Sequence, residues 1–122
     1  MYEVSWHIEN RVILCKISES VSVVDIKAAN AKLREYVAQG TNPLHCILDI
    51  SELKTFPIDI NLFRSDYPFH GMEGWIVLIG GNALMRYSAG VVAKFVGTDF
   101  HTVENFDAAV QFIQQEDSSI LI

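Results

Sequence analysis

The sequence predicts an α/β domain: a mostly parallel five-stranded sheet with an antiparallel N-terminal edge strand, in the order β-β-α-β-α-β-α-β-α. Three observations predict it. Two runs of strand length, 44–50 and 75–79, are almost continuously apolar, as strands covered on both faces are. Around them lie stretches with apolar residues at helical spacing, opened by capping residues and closed by glycine. Strands that alternate with helices imply βαβ units, and so parallel pairing with right-handed crossovers.

Each element follows from its residues. Residues 3–8 set Val4, Trp6 and Ile8 against Glu3, Ser5 and His7, which is a strand with one wet face. Asn10 supplies a turn, and Val12-Ile13-Leu14-Cys15-Lys16-Ile17 follows closely enough to complete a hairpin. Ser22 with Asp25 three residues on reads as a capping box. Val23, Ile26, Ala29, Leu33 and Val37 then recur at helical spacing up to Gly40. After the strand at 44–50, residues 51–57 read as a polar connection and 59–66 as a short helix bearing Leu62 and Phe63.

Residues 67–74 form an aromatic loop, and 75–79 a buried strand. Gly80-Gly81-Asn82 turns the chain into a helix over 83–96, with Gly97 at its end. On that helix Leu84, Tyr87, Val91 and Phe95 make the face assigned to the core. Met85, Ala89, Val92, Ala93 and Val96 lie elsewhere, so the helix is apolar nearly all round. Residues 100–104 read as a strand, and Asn105 caps a last helix with Phe106, Ala109, Val110 and Ile113. Residues 1–117 are therefore read as one domain, and 118–122 as a tail with no assigned place.

A chain of 122 residues suits one domain and buries enough surface to fold without staples. The net charge of −6, with nine scattered basic residues, excludes a nucleic-acid footprint and disfavours an anionic membrane surface. The longest apolar stretch is too short for membrane insertion. The opening Met1 to His7 has neither a basic start nor an apolar run, so a cytoplasmic protein is expected. Cys15 and Cys46 sit in apolar runs and read as buried thiols, not as a disulfide or redox pair.

The residues place no catalytic machinery. Asp49 and Ser51 read as a local turn before they read as a site. Gly80-Gly81-Asn82 fits a tight strand-to-helix turn, and only Arg86, one turn on, raises an anion-binding reading. His7, His45, His70 and His101 are isolated, and His45 and Cys46 are adjacent on a strand and point apart, so no metal is expected. No cofactor is implied. The surplus apolar surface of the 83–96 helix and the aromatic loop is read as a homodimer or partner interface, or as a groove for a small apolar ligand or lipid. Tyr67, Phe69, Met72, Met85, Val92 and Val96 are its candidate residues.

With this element order in hand, Ile47-Leu48-Asp49-Ile50-Ser51-Glu52-Leu53 resembles the strand-loop segment of the STAS domains, the bacterial anti-sigma factor antagonists. The stretch from Phe100 to Ile113 resembles their last strand and helix, and resembles still more a divergent branch of antagonist-like bacterial proteins. The resemblance implies the same fold and a non-enzymatic regulatory module that binds a protein partner. The partner site is expected on Ser51, Thr55, Asp59 and Asn61 of the 51–61 loop and helix start and on Arg86 of the 83–96 helix, used together with that helix. In those antagonists the second helix opens with a phosphorylated serine after an aspartate. Asp59 falls on the aspartate and Ile60 on the serine, and isoleucine accepts no phosphate. Ser51 and Thr55 are the hydroxyls left to replace it.

Overall fold

The computed structural model describes residues 1–55 and 66–120. Their elements are β1 (Tyr2–Ile8), β2 (Val12–Ser20), α1 (Val23–Gln39), β3 (His45–Thr55), β4 (Trp75–Ile79), α2 (Ala83–Val96), β5 (Asp99–Val103) and α3 (Phe106–Glu116). The five strands form one sheet in sequence order, with β1 antiparallel to β2 and every other pair parallel. This is the α/β architecture the alternation predicts. The short helix expected over 59–66 falls almost wholly outside the described residues.

The hairpin closes on Asn10, whose φ of 64° is left-handed backbone that asparagine tolerates better than most residues. At the start of α1 the Ser22 hydroxyl accepts from Asp25 N–H while the Asp25 carboxylate accepts from Ser22 N–H, a complete capping box. The alternation of strand residues then splits the core in two. Ile13, Cys15, Ile17, Cys46, Ile76 and Leu78 face α1 and α2. Val12, Ile47, Val77 and Ile79 face the opposite way, onto Ala109 and Ile113 of α3.

Two expectations are corrected. First, residues 51–55 are strand and not connection. β2 and β3 both run on beyond β4, pairing Ser18 with Glu52, Glu19 with Leu53 and Ser20 with Thr55. Second, the phase of the 83–96 helix is reversed. Met85, Ser88, Val92 and Ala93 are buried, while Leu84, Tyr87 and Phe95 are 55%, 69% and 68% exposed. Gly90, which faces Phe100 on β5, lies on this inner side together with Ala93, 2% exposed. Ile120, given no place by the sequence, is 4% exposed and packs with Val12, Ile47 and Val77 on the α3 side.

Candidate functional site

At the carboxyl ends of the strands, β4 stops at Ile79 beside Asp49 while β3 continues for six more residues. The result is a two-stranded ribbon overhanging the sheet. Two irregularities in its register, on either side of Ser18 and Glu19, twist it, and Glu19 takes a φ of 63°. Ser51, Glu52, Lys54 and Thr55 are all exposed there. Ser18, Glu19, Ser51, Glu52, Leu53 and Lys54 border a shallow polar depression. Lys16 reaches Glu52 at 3.2 Å across its outer side.

Ser51 is held by a local bond pattern. Its N–H and its hydroxyl both donate to Oδ1 of Asp49, at 2.9 and 2.6 Å. Asp49 thus serves its own turn and is not poised as a general base. Gly80 lies directly against Ser51. A methyl group there would stand 2.7 Å from Ser51 Cα, and the φ of 78° at Gly80 also favours glycine. Gly81 has the same handedness, and Asn82 then caps α2 by accepting from Met85 N–H at 2.8 Å. Arg86 is exposed in the first turns of that helix. Of the five sequence-predicted partner residues, Ser51, Thr55 and Arg86 are thus solvent-facing, and Asp59 and Asn61 lie outside the described residues.

The candidate apolar residues are mostly inside. Tyr67, Phe69, Met72, Met85 and Val92 are buried and Val96 is half-buried. Tyr67, Phe69, Met85 and Val92 share one cavity between α1, α2 and the sheet. Tyr67 donates its hydroxyl to Thr98 at 2.8 Å, and burial pushes that phenol up, partly offset by this bond. Any docking on the outside of α2 must use Leu84 and Tyr87 instead.

Sequence reading missed a polar cluster at the opposite edge of the sheet. His45 is 1% exposed. Its Nδ1 accepts from Trp75 N–H at 3.0 Å, so Nε2 carries the proton and donates to Asp117 Oδ2 at 2.8 Å. Arg11 donates to the same oxygen at 3.0 Å and to the Ser119 hydroxyl at 2.7 Å. Burial disfavours the Asp117 charge, but bonds from His45 and Ser119 outweigh it and hold the carboxyl down at about 2. The approach of β4 to His45 requires Gly74, since a Cβ there would run into the Leu44 carbonyl oxygen. The one legible signal was a histidine inside an apolar run.

Neither nitrogen of His45 is left to take a substrate proton, and Ser119 is already bonded to Asp117 at 2.6 Å. Burial pushes the Cys15 thiol up to about 12, and burial followed by Cys15 itself pushes Cys46 well up, so neither is an active nucleophile. Among the described residues no group of three or more His, Cys, Asp or Glu side chains is placed to hold a metal. No helix among them is long and apolar enough to cross a membrane.

No protein-family profile matches the chain, and no curated protein matches it in sequence. Its fold matches solved structures. An uncharacterised protein of the DUF3478 family with a SpoIIAA-like fold, from Shewanella loihica PV-4, superposes with a TM-score of 0.63 at 18% identity, over 93% of this chain and 92% of that one. The anti-sigma factor antagonist SpoIIAA in its unphosphorylated form superposes with a TM-score of 0.62 at 12% identity, over 100% of both chains. The chain therefore has the SpoIIAA-like, STAS-like fold.

Proposed function

We propose that this protein is a non-enzymatic, cytoplasmic interaction module that engages a protein partner through the carboxyl edge of its sheet. The observation that carries the reading is the β2–β3 ribbon. It projects Ser51 and Thr55 into solvent beyond the sheet, and Gly80 fixes the start of α2 against it. Ligands and partners of such sheets meet the loops at the carboxyl ends of the strands. The likeness to SpoIIAA is consistent with a protein partner. Among the described residues His45 is engaged at both nitrogens, the thiols are raised and Asp49 is bonded within its own turn, which does not favour an enzymatic reading at these groups.

Switching by phosphate, if this site has it, falls to Ser51 or Thr55, because Ile60 has no hydroxyl. Homodimer formation falls to the outer side of α2 through Leu84 and Tyr87. The test is affinity purification of the wild type beside a Ser51→Glu/Thr55→Glu/Arg86→Glu variant whose circular dichroism is unchanged. The variant is expected to lose its specific co-purifying protein. Equal recovery of the same protein by both forms rejects the site.

A further inference from the structure

The packing of α1 and α2 on one face of the sheet leaves a partly open apolar pocket of about 130 Å³. Ile17, Leu48 and Leu78 contribute from the strands, Leu33 from α1 and Ala89 and Val92 from α2. Two lining side chains carry polar groups, and both are engaged. Asn30 donates to Asp66 at 3.1 Å and Tyr67 donates to Thr98 at 2.8 Å. Among the described residues no lining side chain has a buried polar atom without a partner. An enclosed apolar cavity of about 150 Å³ accepts benzene or xenon, so the volume here is on the scale of one such molecule. Pockets for drug-sized molecules run from about 300 Å³ upward. A volume of this size favours a small guest over the lipid that was one of the sequence alternatives, and the apolar walls favour an uncharged one.

We propose that this cavity is a binding site for one small, uncharged apolar molecule of about benzene's size. The site rests on the cavity alone and is independent of the ribbon described above. A guest there touches both helices and braces the Tyr67–Phe69 wall between them, so its binding adds to the stability of the folded state.

Benzene itself is the probe, added to the wild type and to Ala89→Leu, which fills the void. Methyl resonances of Ala29, Leu33 and Val92 are expected to shift in the wild type. At ten times its dissociation constant, benzene is expected to raise the folding equilibrium constant by about elevenfold. Ala89→Leu is expected to remove both effects. If that variant does not fold, Ala93→Val narrows the same cavity by less. Hexadecanoic acid is expected to give neither response. Absence of any benzene response, which marks a packing void only, overturns the proposal. So does a response that survives both substitutions, or the same methyl shifts with hexadecanoic acid.

Discussion

The Asp117 carboxylate joins stretches that are far apart in sequence: Arg11 at the hairpin, His45 at the start of β3 and Ser119 beyond α3. Replacing it with asparagine removes the charge and turns one of its two accepting oxygens into an NH2 donor, so either the His45 and Arg11 donors or the Ser119 donors lose their acceptor. Asp117→Asn is expected to cost about 2–3 kcal/mol at pH 7, read by urea unfolding. Its pH dependence has a fixed sign. The carboxyl sits at about 2 when folded against a model value of 3.8. Its contribution is therefore complete above the unfolded value and is lost as pH falls through the folded one. That amounts to about 2 kcal/mol between pH 5 and pH 1.5, and the asparagine variant is expected to lose this share of the acid sensitivity. At Gly80, a left-handed φ and the nearness of Ser51 both oppose a side chain. Gly80→Ala is expected to destabilise by about 2 kcal/mol or more in the same assay. The two glycines of this turn were visible in the sequence. The partnership of His45 with Asp117 was not, because 72 residues separate them and nothing in local spacing pairs them.

Among the elements, α2 shows how far a periodic pattern reaches. Its limits, the turn at Gly80-Gly81-Asn82 that opens it and its closing Gly97 were all legible. Its phase was not, because a helix apolar nearly all round offers two faces that suit a core equally well. The choice between them is a tertiary effect: the side with Met85, Val92 and Ala93 is packed on the sheet, and the side with Leu84 and Tyr87 faces solvent. The stability of two substitutions follows from it. Met85→Ala is expected to cost about 2–4 kcal/mol, whereas Leu84→Ser, one residue away, stays within about 0.5 kcal/mol. Equal losses at the two positions would restore the phase predicted from sequence. The β3 extension misled for another reason. Ser51-Glu52-Leu53-Lys54-Thr55 lacks a buried face, so its strand character comes from pairing with β2 and leaves little apolar alternation to read.

At the level of the molecule, strand order and direction were readable because buried parallel strands announce themselves as apolar runs, and helices between them leave few topologies. The outer surface is less constrained by sequence. The 83–96 helix contains Arg86 and Lys94 and no acidic residue, in a chain whose net charge is −6. If α2 mediates self-association, sedimentation of a Leu84→Glu/Tyr87→Glu variant is expected to show a monomer where the wild type shows a dimer. A wild type that is already monomeric at high concentration removes that part of the proposal. Partner binding at the carboxyl edge stands apart from it. The most direct measurement is photo-crosslinking in cells from an unnatural amino acid at Thr55, with the same group at Gln111 on the exposed side of α3 as control. A discrete adduct with another protein from Thr55 and none from Gln111 is the expected result. Identical patterns from both positions, or no protein adduct from Thr55, would contradict a partner site on the ribbon.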